Sequence, residues 1–336
     1  MRGAWFDAEG RSWGLFMNIL LTSVGRRVKI VEFFKHALKG EGAVFAGDCS
    51  TTAPGLYAAD KGFILPEVKA VSYLTSIMDI CRQHQISAVI PLIDSELPVL
   101  AGAVDDFLRQ GIRLIVACPK TVFIGQDKLL TAQLFSAMGV PTPKTWGFED
   151  GLDQWDYPVI IKPQNGSASN GVYLCQNLKD VMFYKEKVVE PIIQEYVEGR
   201  EVTYDVLCDF QSRCLSIVGR QRLKVRAGEV ERGMTVRCHG KVKKHILNIV
   251  KVLKPIGVIN IQCFLTDNGP LFIEINPRFG GGYPLAQAVG ANFPKKLIKL
   301  LKGELWDYSD DWREGMLMLR YDEAVFIKEE NLYGEN

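Results

Sequence analysis

The sequence GVINIQCFLTDNGPLFIEINPRFGGG, residues Gly257 to Gly282, has the pattern of a β-hairpin with polar side chains on one face. Two alternating apolar runs flank the Asp-Asn-Gly segment at 267–269, and a three-residue loop ending in glycine is a common hairpin closure. With that loop, Gln262 faces Glu274. Asn276 lies two residues beyond Glu274 and points to the same side, so three oxygen-bearing side chains are predicted to converge.

These three side chains, Gln262, Glu274 and Asn276, indicate a metal site. Carboxylate and amide oxygens suit Mg²⁺, which shares its coordination shell with phosphates, and Mn²⁺ is the alternative ion. A solvated sheet face is the alternative reading, because FIEINP alternates as any half-exposed strand does. Arg278, two residues further on, would place a guanidinium beside the metal to hold phosphoryl oxygens or a developing oxyanion.

A second stretch, IIKPQNGSASNGVYL at 160–174, ends an apolar strand in a lysine and then runs through glycine and serine. Lys162 would project from a rigid strand, and the glycines allow backbone N–H groups to approach an anion. The alternative is a disordered loop with a surface lysine. The loop residues predicted to bind are Gly166, Ser167, Ser169 and Gly171.

A third stretch, IIQEYVEGREVTYDVL at 192–207, joins two apolar strands through a turn. Backbone groups of Glu195, Tyr196 and Val197 can offer the donor and acceptor that a purine requires, and Glu201 can offer a carboxylate to a ribose. A charged surface turn is the alternative for this segment.

The composition indicates a globular protein without a net positive charge large enough to attract polyanions. The chain has 336 residues, 47% hydrophobic and 24% charged, with a net charge of +1. Nucleic-acid binding is therefore not expected, nor is membrane association. Eight scattered cysteines and four histidines favour buried thiols in a reducing, cytoplasmic setting over disulfides or zinc.

Strand and helix patterns predict two kinds of architecture. From residue 17 to about 118 they alternate, which predicts an open parallel α/β sheet, and the helices are expected at 27–39, 73–84 and 97–109. The first turn, TSVGRR, lacks G-x-G-x-x-G, so nicotinamide binding is disfavoured. From residue 158 locally paired strands dominate, which predicts α+β structure with antiparallel sheets.

The three stretches, in this order and spacing, resemble the ATP-grasp superfamily, and most of all single-module relatives of the carbamoyl-phosphate synthase large subunit. The resemblance covers roughly residues 17 to 303. It implies an N-terminal pre-ATP-grasp domain followed by two α+β subdomains that clasp ATP. The implied divisions are a disordered tail at 1–16, a Rossmann-like domain at 17–120, a small subdomain at 121–200 and a C-terminal subdomain at 201–336.

The resemblance also implies residue roles. Lys128 and Lys162 would contact ATP phosphates beneath the glycine-rich loop, Glu195 to Val197 would hold adenine, and Glu201 the ribose. Gln262, Glu274 and Asn276 match the family's metal positions, and Arg278 matches the arginine of its N-P-R motif.

The strand GRQRLKVRAGEVERG alternates basic residues so that four are expected on one face: Arg220, Arg222, Lys224 and Arg226. A solvated edge strand is the alternative. In the family a strand near here sends a basic side chain to the γ-phosphate, and Arg222 and Lys224 are the candidates.

The implied reaction is ATP-dependent activation of a carboxylate as an acyl phosphate, which an amine attacks. The partners would be small-molecule carboxylates and amines, and a homodimer is compatible with the sequence. Side chains at predicted strand ends, namely Arg26, Arg27, Asp48, Asp94 and Glu96, are candidates to face these substrates or are solvated loop ends. The alternative function is an ATP-binding sensor or scaffold that has lost the reaction.

Overall fold

The computed structural model describes most of the chain: residues 5–6, 12–13, 17–150, 155–166, 170–226 and 228–334. Strands β1 (Trp5–Phe6) and β2 (Ser12–Trp13) pair antiparallel. The rest of the predicted tail lies outside the described residues, so the tail stays a prediction. Ser167 and Ser169 of the predicted loop lie outside them too.

The first large unit is a parallel sheet with helices on both faces. Its elements are β3 (Asn18–Thr22), α1 (Val28–Leu38), β4 (Val44–Asp48), α2 (Pro54–Ala58), β5 (Lys61–Ile64), α3 (Tyr73–Gln83), β6 (Ile86–Pro91), a 3₁₀ turn (Asp94–Glu96), α4 (Leu97–Gly102), α5 (Val104–Arg109), β7 (Arg113–Leu114) and α6 (Pro119–Gln126). The strand order is β5-β4-β3-β6-β7, and every pair is parallel. This confirms the predicted open sheet, although the helix expected at 97–109 is two helices that meet at Ala103.

A smaller antiparallel sheet follows. Its elements are α7 (Lys128–Ala137), β8 (Thr145–Gly147), β9 (Val159–Pro163), β10 (Tyr173–Cys175), α8 (Leu178–Lys185) and β11 (Pro191–Glu195). The strands are ordered β10-β9-β11-β8 and enclose a core of their own around Val159, Ile161 and Ile193. Asp127 caps α7, since its carboxylate accepts a hydrogen bond from the Leu130 N–H at 2.9 Å. This cap fixes where Lys128 leaves the helix start.

The third unit is a six-stranded antiparallel sheet. Its elements are β12 (Arg200–Cys208), β13 (Cys214–Arg226), β14 (Glu229–Val236), α9 (Gly240–Leu253), β15 (Gly257–Thr266), β16 (Gly269–Asn276), α10 (Tyr283–Ala288), α11 (Phe293–Leu301), β17 (Leu317–Leu319) and a 3₁₀ turn (Glu329–Asn331). The order is β16-β15-β12-β13-β14-β17. One face packs on α9 through Ile246, Ile249 and Val250. Because strand side chains alternate, the polar residues between the buried ones lie on the other face.

The hairpin of β15 and β16 differs from its prediction in the loop. The loop has two residues, 267–268, and Thr266 pairs with Gly269. A β-bulge then shifts the register: Cys263 pairs with Phe272 whereas Gln262 pairs with Glu274. The shorter loop and the extra residue at Ile273 cancel each other, so the predicted Gln262–Glu274 pair is observed for a different reason.

Helix α1 joins the first and third units in one core. Phe34 meets Phe279 edge to face with ring centroids 5.8 Å apart, and Phe33 meets Tyr283 at 6.2 Å. These contacts hold the loop after β16 against the parallel sheet.

The cysteines are all free thiols, and five of them are buried. Cys49 and Cys118 are exposed, so the expectation of buried thiols is wrong for these two, which lie in the connections after β4 and before α6. Among the described residues, no helix has both the length and the apolar composition that crossing a bilayer requires.

Candidate active site

A cleft of about 640 Å³ lies between the small sheet and the polar face of the six-stranded sheet, and it reaches the ends of the parallel strands. It brings together twelve predicted site residues: Lys128, Lys162, Gly166, Glu195, Tyr196, Val197, Glu201, Arg222, Gln262, Glu274, Asn276 and Arg278. Among the described residues, Gly171 does not line the cleft although its neighbours Asn170 and Val172 do, and Lys224 does not line it either.

The floor of the cleft is set by strand register. Gln262 lies between Thr203 on β12 and Glu274 on β16, and the next row places Asn260 opposite Asn276. The amide of Asn276 donates to Glu274 Oε1 at 3.1 Å. Gln262, Glu274 and Asn276 therefore share one patch of the sheet.

This trio fits a hard divalent cation that takes most of its ligands from water and phosphate rather than from protein. It has one carboxylate and two amide oxygens, and among the described residues no cluster of three His, Cys, Asp or Glu side chains could hold a metal. Mg²⁺ keeps several waters and phosphate oxygens in its shell, so one protein carboxylate with neutral oxygens is a suitable partial set.

Lys162 is almost fully buried at one wall of the cleft, with 8% of its surface exposed. Burial lowers its pKa to about 8, while nearby Glu274 opposes the shift and Lys128 adds to it. Its ammonium donates to Gln194 Oε1 at 2.7 Å, and Gln194 Nε2 donates to Thr145 Oγ1 at 2.8 Å. Sequence reasoning missed Gln194, although a polar residue inside an apolar strand was a signal for it.

Two changes at Gln194 should move the titration of Lys162 in opposite directions. Gln194→Glu adds a negative partner that favours the ammonium, so the pKa of Lys162 should rise above about 8. Gln194→Leu removes the acceptor and should lower the pKa. The measurement is the pH dependence of the Kd for an ATP analogue. Thr145→Val is the control, because it removes the hydroxyl that accepts from the Gln194 amide and donates to the Pro143 carbonyl but leaves the Gln194 oxygen beside Lys162. Equal midpoints in both Gln194 variants would contradict the assignment.

Lys128 contacts the backbone at the start of the glycine-rich loop. Its ammonium donates to the Gly166 carbonyl at 2.7 Å, and its N–H donates to the Gln164 carbonyl at 3.0 Å. Gly166 and Gly171 have φ of +142° and +71°, which other residues rarely adopt. The segment 167–169 is therefore preceded and followed by glycines with positive φ, and Lys128 contacts the first of them.

The connection between β11 and β12 lines the other end of the cleft. Glu195 pairs with the backbone of Lys144, since its N–H donates at 2.9 Å and its carboxylate accepts at 3.1 Å. Glu201 forms an ion pair with Arg222. Burial raises the pKa of Glu201, and Arg222 opposes that shift. The segment thus presents backbone at 195–197 and a carboxylate at 201.

The basic strand does not keep four residues on one face. The β13–β14 register shifts between Arg222 and Val225, so alternation ends there. Arg220 and Arg222 line the cleft. Lys224 pairs instead with Glu231 at 3.1 Å, and Arg226 pairs with Asp322 at 2.8 Å, both at exposed positions. This corrects the predicted common face and leaves Arg222 as the candidate that lies in the cleft.

A buried network under the cleft was also missed. Arg220 forms a bidentate pair with Asp205 at 2.5 and 2.9 Å, and Asn260 donates to the same carboxylate at 2.6 Å. A Cβ on Gly282 would lie 2.0 Å from Arg220 Nη1, so only glycine fits there. The network fixes the glycine-rich turn after Arg278 against the sheet.

Arg27 and Arg278 also line the cleft, together with Asp94 at the end of the parallel sheet. Arg278 donates to Asp94 at 2.6 Å and to Asn276 Oδ1 at 3.1 Å, and Arg27 donates to the Phe279 carbonyl at 2.9 Å. Burial and the neighbouring Arg278 lower the pKa of Arg27 to about 10. Arg278 already has Asp94 as its counterion, whereas Arg27 forms no ion pair among the described residues, so a further anion here would meet the charge of Arg27.

Of the other strand-end candidates, Asp48 and Glu96 serve the fold, and Arg26 lies at the surface. Asp48 accepts from the Gly25 and Ser50 N–H groups, and Arg26 is exposed. Glu96 is fully buried and accepts from Tyr73 Oη at 2.6 Å and the Leu92 N–H at 2.8 Å. Of the five, Arg27 and Asp94 line the cleft.

Comparison with known families gives matches over both large parts of the chain. Residues 19–115 match the PylC-like N-terminal domain, and residues 125–282 match the ATP-grasp domain. A phosphoribosylamine–glycine ligase of Caldanaerobacter subterraneus subsp. tengcongensis is 24% identical over 73% of this chain and 67% of its own length. A carbamoyl-phosphate synthase of Methanobrevibacter smithii is 28% identical over 44% of this chain, and the aligned part spans only 41% of that relative.

A solved structure shows the same fold. The biotin carboxylase domain of the Hydrogenobacter thermophilus 2-oxoglutarate carboxylase, solved with MgADP, ADP and bicarbonate, aligns with a TM-score of 0.73 and 17% identity. The alignment covers 91% of this chain and 74% of that one. At this identity the likeness concerns the fold. Because residues 125–282 match the ATP-grasp domain behind a PylC-like N-terminal domain at 19–115, the chain belongs to the ATP-grasp superfamily.

Proposed function

We propose that this protein is an ATP-dependent ligase that activates a carboxylate as an acyl phosphate and joins it to an amine. The observation that carries the proposal is the single cleft in which Lys162 and the Gln262, Glu274 and Asn276 trio face the same space. The guanidinium groups of Arg27 and Arg278, which also line the cleft, support an anionic second substrate. The related phosphoribosylamine–glycine ligase joins an amine and a carboxylate-bearing compound, as its name states.

The roles proposed for these residues are the ones that the family resemblance implies, and the residues named below line the cleft or its loop. The backbone at 195–197 would hold adenine, Glu201 the ribose, and Lys128 and Lys162 the phosphates, beneath the loop from Gly166 to Gly171. The trio would hold Mg²⁺, which when bound neutralises phosphate charge. Arg222, which lines the cleft, would add a positive charge to the phosphoryl group.

The reaction needs positioning and charge neutralisation rather than a protein nucleophile. A carboxylate oxygen attacks the γ-phosphorus, the bond to the β–γ bridging oxygen breaks, and ADP leaves. The amine nitrogen then attacks the acyl carbon, the bond to the phosphate oxygen breaks, and phosphate and a proton leave. Arg278 and Arg27 would hold the carboxylate and the developing oxyanion, and Lys162 would steady the transferred phosphoryl oxygens.

The test is ADP and phosphate release with Mg²⁺, ATP and a matrix of carboxylates and amines, with products identified by mass spectrometry. The proposal expects release that requires both substrates and one C–N bond formed per ADP. Folded protein that binds ATP but turns over none of the pairs would favour the sensor or scaffold function instead.

A substitution at Arg27 tests the proposed binding of the carboxylate substrate more directly. Arg27→Gln should raise the KM for the carboxylate about tenfold or more and change the KM for ATP little, because it removes charge-assisted contacts to one substrate only. Arg26→Gln, which changes an exposed neighbour, is the matched control. An unchanged carboxylate KM in Arg27→Gln would refute this role.

A further inference from the structure

A second cavity, of about 230 Å³, lies outside the cleft beside the start of α11. Its wall includes Ser216 of β13, Lys295 and Lys296 of α11, and Trp306 and Trp312 of the following segment. Nothing in the proposed reaction uses these residues. Strand β13 contributes to both places: Ser216 lines this cavity, and Arg220 and Arg222, further along the strand, line the cleft.

Two polar groups in this wall have no hydrogen-bond partner among the described residues. Ser216 is fully buried, and its hydroxyl is unpaired; the indole N–H of Trp306 is buried and unpaired as well. Buried polar atoms almost always have a hydrogen-bond partner, because an unpaired one loses its hydrogen bonds to water without a replacement. By contrast, the indole N–H of Trp312 donates to the Ile217 carbonyl at 3.0 Å. The Ser216 hydroxyl and the Trp306 indole therefore have no acceptor among the described residues, and both residues line the cavity.

The lysines of the wall form no direct ion pair among the described residues, although Asp310 lies close enough to Lys296 to favour its charged form. Among the described residues, no carboxylate lies within ion-pair distance of Lys295 or Lys296, whereas Lys299 on the same helix pairs with Glu304 at 2.7 Å. The nearby Asp310 is held by Lys243 at 2.9 Å and by Tyr308. Asp311 also lines the wall, but it is exposed to solvent. The cavity thus has excess positive charge.

The N-terminus of α11 is not the source of the site. The Phe293 N–H donates to Tyr283 Oη at 2.7 Å, residue 294 is proline, and the Lys295 N–H donates to the Asn292 side chain at 3.3 Å. The first turn is already satisfied, so side chains would have to recognise the ligand.

We propose that this cavity is a second binding site, for a small oxyanion such as phosphate or a short carboxylate. An oxyanion supplies acceptors to the Ser216 hydroxyl and the Trp306 indole and a counterion to Lys295 and Lys296. The cavity is smaller than the roughly 300–1,000 Å³ of pockets for drug-sized ligands, so the ligand is small. The site is independent of whether the cleft performs the proposed reaction.

The experiment titrates inorganic phosphate, and separately sodium succinate, into the full chain, with heat and tryptophan fluorescence as readouts. The cleft is filled beforehand with Mg²⁺ and a non-hydrolysable ATP analogue. We expect one saturable site for at least one anion, and the two arms distinguish phosphate from carboxylate. Lys296→Met and Trp306→Phe should each weaken binding about tenfold or more, since each removes a charge-assisted contact.

Lys299→Met is the matched control, because it removes a charge from the same helix and a lysine 5.0 Å from the Trp306 ring but outside the cavity wall. It should leave the affinity unchanged. The proposal is overturned if neither anion binds saturably below about 10 mM, or if Lys296→Met and Trp306→Phe both bind as the wild type does. Binding that disappears when the cleft is filled would also overturn it, since the anion would then belong to the cleft.

Discussion

Glu274→Gln is expected to lower ATP turnover about a hundredfold or more and to raise the Mg²⁺ concentration needed for half-maximal rate. Glu274 is the one carboxylate of the trio, and the change leaves three neutral amides there. Glutamine keeps an oxygen for the bond that Asn276 donates at 3.1 Å, so the hairpin should fold as before. The measurement is steady-state ADP release across a range of MgCl₂ concentrations.

Asp267→Asn is the matched control for Glu274→Gln. It removes one negative charge from the same hairpin, at an exposed position in the loop and outside the cleft. Its turnover should equal that of the wild type. If Glu274→Gln also turned over normally with an unchanged Mg²⁺ requirement, the trio would be an ordinary polar sheet face.

Lys162→Met is expected to weaken the binding of an ATP analogue about tenfold to a hundredfold at pH 7. In the wild type the affinity should also fall as pH rises through about 8, because burial holds the pKa of Lys162 there and the neutral amine attracts phosphate less. The sign follows from the lowered pKa: the ammonium is present below about 8 and is lost above it. Calorimetric titrations between about pH 7 and 9 measure both effects.

The fall in affinity with rising pH, called the pH step below, distinguishes the role of Lys162 from that of Lys128. Lys162→Met should abolish the step, whereas Lys128→Met should weaken binding but keep the step and move it to higher pH. That movement is expected because Lys128 is one of the charges that lower the pKa of Lys162. A step that persists unchanged in Lys162→Met would assign the titration to another group.

Local patterns in the sequence were enough to predict the two architectures. Alternation of strands and helices predicted the parallel sheet of β3 to β7, since each pattern depends on the side-chain period of a single element. The period of two also placed Glu274 and Asn276 on one face. The same period of two wrongly placed Lys224 on the face of Arg220 and Arg222. A bulge in β13 shifts the alternation there, and the sequence has no glycine or proline at that point to indicate it.

The sequence by itself determined the superfamily, the strand positions of the lysine and the trio, and the glycines that begin and end the loop. Only the tertiary structure decided which side chains from distant segments complete the cleft: Asp94 meets Arg278, Gln194 holds Lys162, and Asp205 pairs with Arg220. The physical reason is that periodicity orients a side chain within its own strand, whereas partners and burial depend on how sheets and helices pack. The lowered pKa of Lys162 arises from that burial, which no single segment contains.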